Sequence, residues 1–308
     1  MSNDFKLYLR EAILAVGLVF LLLGSMWLAT GMFPPMVVVE SGSMKHSEEG
    51  SIGAIDPGDS VLIMNPERVD IVTYVEASNE ENKNFGYEMH GMFGDVIIYQ
   101  KNGGSDTPVI HRVLLKAETN LTEIPIDDSC SEGVFDELEY ICILTWDVPG
   151  TNLVNVSNIS LTLDYSCAPH GNLTIDKWVP RHEGYLTTGD NRMTNGCTID
   201  QLRATSSTAD DSYIQSRGLK DEFGNPVTAV RDTWVVGVAS SEIPWVGAIK
   251  LFFSGTSSFV SGQTWNNLFT LIAAVVIIPM VYDIFIPSKN EEEAVSYTHL
   301  TLPTIYSV

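Results

Sequence analysis

The sequence predicts a mainly β body held between two membrane-spanning helices. Three observations lead there. Long charge-free apolar stretches lie near both ends. Short runs rich in β-branched and aromatic residues, often separated by Gly, Pro, Asn and Asp, fill the middle, and that middle shows no sustained helical periodicity. A length of 308 residues corresponds to about two domains. The net charge of −22 excludes a basic nucleic-acid footprint, and a hydrophobic fraction of 44% excludes a disordered chain.

Taken in order, residues 1–11 form a short stub carrying Lys6 and Arg10, and residues 12–33 the first membrane helix. No charge occurs from Ala12 to Val39, and about 20 apolar residues suffice to cross the hydrocarbon layer. The alternative, a cleaved secretory signal, has a basic flank in its favour, but the run is long for an apolar signal region of roughly 7 to 15 residues. A second charge-free stretch runs from Leu251 to Tyr282, and the second span is placed at 264–286, extending past it to Ile286, with Trp265, Tyr282 and Pro287 near its edges. Lys6 and Arg10 before the first helix and Lys289 after the second assign both flanks to the cytoplasm. The body, 34–250, is then extracytoplasmic and 287–294 is a cytoplasmic tail. Residues 295–308 begin with Val295-Ser296-Tyr297-Thr298-His299-Leu300-Thr301-Leu302-Pro303-Thr304, which resembles the translation of a transposase-type sequencing adapter, and are set aside as an artefact.

Within the body, strands are expected at Met36–Glu40, Ser60–Met64, Val69–Val75, Val96–Gln100, Val109–Leu115, Tyr140–Thr145, Ile159–Leu163, Gly184–Thr187 and Thr233–Ala239. The cysteines, Cys130, Cys142, Cys167 and Cys197, all fall in the body, as disulfides of an oxidising compartment do. Three pairings are open. Glycosylation sequons begin at Asn120, Asn155, Asn158 and Asn172, all inside the stretch 118–177, which also holds Cys130, Cys142 and Cys167 and reads as an insertion. The acidic surface fits a saline exterior.

Few residues qualify for chemistry. Ser41-Gly42-Ser43-Met44 follows the first helix closely, and a serine beside a glycine is a candidate nucleophile, although taken alone Ser-Gly-Ser is ordinary loop composition and a loop is the simpler reading. His111 sits in the apolar strand pattern Ile110-His111-Arg112-Val113, where a core role is the simpler reading. Thr188-Gly189-Asp190-Asn191-Arg192 has turn chemistry, and Asp200-Gln201 follows. Lys45 is a rival base near Ser43, while His46, His90, His170 and His182 read as solvated loop residues. No two cysteines show metal-ligand spacing, so neither a metal nor another cofactor is expected.

In this order the pieces resemble the type I signal peptidases of the archaeal and endoplasmic-reticulum branch. The resemblance runs from Met36 to Gly247 through Ser41-Gly42-Ser43-Met44, Pro57-Gly58-Asp59, Gly94-Asp95-Val96-Ile97-Ile98-Tyr99 and Ile110-His111-Arg112-Val113. It continues through Gly189-Asp190-Asn191, Asp200-Gln201, Trp234-Val235-Val236-Gly237 and Ile243-Pro244-Trp245-Val246-Gly247. Each motif is modest; the ordered set is specific. Histidine at 111, where the bacterial branch carries lysine, selects the branch. The insertion 118–177, the long interval from Asp190 to Asp200 and the lack of a proline soon after Met44 depart from the family pattern.

The resemblance implies a signal-peptidase-like β domain and a serine endopeptidase that removes signal peptides from secretory preproteins beside the protein translocation channel. It implies Ser43 as nucleophile and His111 as general base. Asp200 resembles the triad aspartate and Asp190 the supporting one. The Ser43 N–H and the Ser41 hydroxyl would bind the oxyanion. Met44 is assigned to packing. The second reading, of another class, is a non-catalytic membrane-anchored β domain that binds a partner or serves as an accessory subunit.

Overall fold

In the computed structural model, the structure describes residues 3–125, 130–167, 171–191, 198–201 and 218–285. Helix α1 runs Asn3–Thr30 and stops where Gly31 turns to φ +71°, its N–H bonding back to the carbonyl of Trp27 at 2.8 Å. Pro34 and Pro35 then forbid helical continuation. The chain divides into two compact units, Met1–Trp265 and Asn266–Val308. Helix α4, Gly262–Phe285, begins at the end of the first and makes up the described part of the second. Phe5–Thr30 and Gly262–Tyr282 are each long and apolar enough to cross a membrane.

The body is built on an antiparallel sheet of seven strands: β1 (Met36–Val38), β2 (Ser60–Met64), β5 (Val96–Tyr99), β6 (Val109–Thr119), β10 (Trp146–Asp147), β13 (Gly184–Thr188) and β14 (Val235–Ile243). Their order is β1-β2-β14-β5-β6-β10, with β13 also on β6. Strand β6 is long enough for two neighbours in succession, since β13 pairs with residues 112–117 and β10 with 118–119. On its other edge β5 pairs with 109–112, which sets the segment carrying His111 and Arg112 deep in the sheet.

Smaller sheets elaborate this frame. Strands β3 (Glu88–Met89) and β4 (Met92–Phe93) form a hairpin, as do β11 (Ile159–Cys167) and β12 (Gly171–Trp178). Strands β7 (Thr122–Glu123), β8 (Val134–Asp136) and β9 (Ile141–Ile143) form a three-stranded sheet with β9 central. Cys130 is bonded to Cys142 of β9, which selects one pair from those left open; Cys197 lies outside the described residues. Leu114 and Leu115 of β6 pack with Ile143, Trp146, Ile159 and Ile175, so the insertion shares a core with the sheet. Each such fully buried side chain contributes roughly 1.5–3 kcal/mol. Beneath the Ser41–Met44 loop, Met44 packs with Val39, Ile55, Val61 and Ile63, as its assignment to packing requires.

The long helices α1 and α4 overlap the two expected membrane spans, so the chain as a whole is mixed, with a strand-rich body beside them. The body departs from the expected pattern in two ways. Residues 69–75 form no strand: helix α2, Tyr74–Ser78, starts there because Thr73 and Glu76 close a reciprocal capping box. Helix α3, Gly247–Ser254, follows Trp245-Val246 and buries Ala248 and Leu251 while exposing Ile249, Phe252 and Phe253.

Candidate active site

The centre of the site is a buried histidine bound to a buried carboxylate. His111 and Asp200 are 5% and 2% exposed, so water cannot solvate the charge on either. The Nδ1–H of His111 donates to Asp200 Oδ2 at 2.6 Å, which fixes the neutral ring in the tautomer whose Nε2 lone pair is free to take a proton. Asp200 Oδ2 also accepts the Thr187 hydroxyl at 2.6 Å and the Tyr99 hydroxyl at 2.9 Å. Burial, and then the charge of Asp200, push the Tyr99 phenol far above its ordinary range, so it stays a donor. Gln201 completes the brace: its Oε1 accepts the Thr187 N–H at 2.9 Å and its Nε2 donates to the Thr187 hydroxyl at 3.0 Å.

Asp190 does different work. Arg112, the neighbour of His111 on β6, donates to its carboxylate from Nε at 2.9 Å and from Nη2 at 2.6 Å. Arg112 Nη1 donates to the carbonyl of Gly94 at 2.6 Å, and both partners of the ion pair have wholly buried side chains. Burial alone would raise the Asp190 carboxyl, but the Arg112 charge and the bonds from His46 and Arg112 hold it below the usual carboxylate range. Gly94 is required here: it has φ +78°, and a Cβ would stand 2.7 Å from the Tyr74 nitrogen. Asp95, next to it, accepts the Val72 N–H and the Tyr87 hydroxyl, each at 2.8 Å.

The serine loop docks on the turn that carries Asp190. Asn191 donates its backbone N–H to the Ser43 carbonyl at 2.8 Å and its side-chain amide to the Gly42 carbonyl at 2.6 Å. Ser43 Oγ shares a hydrogen bond of 3.2 Å with Ser41 Oγ, and no bond joins it to His111. The structure thus brings His111 to Asp200 and the serine loop to Asp190-Asn191, without bringing Ser43, the expected nucleophile, to His111, the expected base. Lys45 Nζ donates to the carbonyl of Glu48 at 2.6 Å and bonds neither serine.

Three of the other histidines are not free loop residues. His46 Nε2 bonds Asp190 Oδ2 at 3.1 Å with its side chain 24% exposed. His90 forms a buried pair with Glu242, and His182 bonds the Glu183 carbonyl and meets Trp234 edge-on. His170 lies outside the described residues. The roles of Tyr99, Thr187 and His46 have no signal in the sequence, because each acts on a partner at least 13 positions away.

Behind the serine loop, Asp59 of Pro57-Gly58-Asp59 accepts the N–H groups of Trp245 at 2.8 Å and Asp56 at 3.0 Å. Burial outweighs these bonds and pushes its carboxyl up to about 6. A raised carboxyl favours the folded state while protonated, so its contribution is full below about pH 4 and is lost as pH rises through 6. The loss amounts to at most about 3 kcal/mol. Denaturant unfolding of the full-length protein in micelles from pH 4 to 7 is expected to show wild type losing stability relative to Asp59→Asn across this window. Parallel curves would contradict the assignment.

No known protein family, no curated protein and no solved structure matches the chain in sequence-family, sequence or structure comparison. Among the described residues, no group of three or more His, Cys, Asp or Glu side chains is arranged to hold a metal ion.

Proposed function

We propose that the chain is a membrane-anchored serine endopeptidase of the type I signal-peptidase kind, cutting signal peptides from secretory preproteins. The observation that carries the reading is the buried His111–Asp200 pair, with the His111 Nε2 lone pair left available and Ser43 held on the adjoining Asp190-Asn191 turn. In this mechanism Ser43 Oγ leaves Ser41 on substrate binding, as hydrogen bonds of an empty site often tighten only with substrate present. His111 Nε2 takes the hydroxyl proton while Oγ attacks the peptide carbonyl carbon. The imidazolium, stabilised by Asp200, then protonates the leaving amine as the C–N bond breaks, and water hydrolyses the acyl-serine by the same route. The Ser43 N–H, which makes no hydrogen bond among the described residues, and the Ser41 hydroxyl receive the oxyanion, each donor being worth about 3 kcal/mol. Asp190 supports the loop and takes no proton.

The two apolar helices support membrane attachment. On this reading the basic flank of α1 lies in the cytoplasm and the β body outside, near the mouth of the translocation channel. Exposed Phe33, Phe252, Phe253 and Phe259 suit a body resting close to lipid. The bond between Ser43 and Ser41 favours one other reading, a non-catalytic binding domain in which the serine stays turned from the base. Incubating membranes containing the full-length protein with a radiolabelled preprotein distinguishes the two. The peptidase yields one cut after small residues at the first and third positions before the bond; the binding domain leaves the preprotein whole.

A further inference from the structure

We propose that His46 is a positioning residue that docks the serine loop on the Asp190–Arg112 ion pair, and so sets where Ser43 stands relative to His111. The proposal rests on the peptidase reading of the same site. Asp190 is a fixed post, since Arg112 holds it from Nε and Nη2 while Nη1 of the same guanidinium is tied to the Gly94 carbonyl. An ionised carboxylate only accepts, so the 3.1 Å contact at Oδ2 requires the hydrogen on His46 Nε2. The ring is seated as well as bonded. Gly91 has φ +76°, and a Cβ there would lie 3.3 Å from His46 Cε1, so a glycine leaves the room the imidazole occupies.

The consequence follows from where the tethers fall. Asn191 holds the carbonyls of Gly42 and Ser43, and His46 holds the loop three residues beyond the nucleophile. Ser43 is therefore bracketed on both sides against one rigid turn. Without His46, the segment from Lys45 to the exposed Ser47–Glu49 stretch keeps the bond from Lys45 Nζ to the Glu48 carbonyl, the weak 3.3 Å turn bond from the Lys45 N–H to Gly42 and, at its far end, the 3.2 Å bond from the Ser261 hydroxyl to the Glu49 carbonyl, none of which ties it to the Asp190 turn. Misplacing a nucleophile by about 1 Å costs on the order of a hundredfold in rate, so loss of this tether lowers kcat more than it alters KM.

The test compares wild type, His46→Ala and His46→Gln as full-length proteins in lipid nanodiscs. Glutamine keeps an N–H donor at similar reach without an imidazole. Amide hydrogen exchange across residues 41–50 reads the docking directly, and preprotein cleavage reads its consequence. The expected result is faster exchange in His46→Ala, wild-type-like exchange in His46→Gln, and a kcat roughly tenfold to a hundredfold lower in the alanine variant at nearly unchanged KM, recovered by glutamine. Wild-type exchange and rate in His46→Ala overturn the proposal, as does a folded glutamine variant that behaves like alanine. If exchange responds as expected but wild type cuts no preprotein, the docking role stands and the peptidase reading fails.

Discussion

Replacing His111 with alanine is expected to lower preprotein cleavage by at least about a thousandfold while leaving the fold intact. Removing the base of a serine–histidine pair leaves only the contributions of oxyanion binding and substrate positioning. Asp200→Asn is the companion experiment. An asparagine is neutral, so it no longer stabilises the imidazolium. Its amide group can also donate to Nδ1 and select the wrong tautomer, a change that costs about ten-thousandfold in comparable triads. Because Tyr99 and Thr187 donate to Asp200 as well, stability must be followed alongside the rate. A variant that melts like wild type and does not cut supports the assignment. One that melts like wild type and cuts normally removes Asp200 from the mechanism.

Arg112→Met is expected to give the largest loss of stability. Arg112 and Asp190 have wholly buried side chains, and removing the cation strands a carboxylate where water cannot reach it. Such breakage costs about 3–5 kcal/mol, whereas replacing both partners by apolar groups of similar volume is often neutral. Unfolding of Arg112→Met, Asp190→Leu and the double variant measures this directly. The double variant is expected to recover much of the stability lost in the single changes, yet to cut roughly tenfold to a hundredfold more slowly than wild type because His46 has lost its post. Additive losses in the double variant would contradict the account of a desolvated pair.

The sequence showed much of the frame and part of the site. Strands β2, β5, β6 and β13 are legible because each is a compact run of β-branched or aromatic residues bounded by turn formers. The run at 69–75 misleads for the same reason: its apolar residues read as a strand, while the decisive feature, Thr73 three positions before Glu76, is a helix start. Ser43 and His111 are singled out by the ordered set of motifs and not by their own surroundings. Which aspartate meets His111 does not, because the choice depends on how β13 registers with β6 and on the chain returning at Asp200, whose N–H bonds the Thr187 carbonyl at 2.9 Å. His46 was invisible because its partner lies 144 positions away. Periodicity reports local structure; the site is assembled from pairings across the whole body.

The most direct measurement compares wild type with Ser43→Ala, both full-length and shown to be inserted in membranes, on one radiolabelled secretory preprotein. The expected result is a single cut after a small-x-small sequence by wild type and none by Ser43→Ala. Equal cleavage by the two proteins, or none by a folded and inserted wild type, would contradict it.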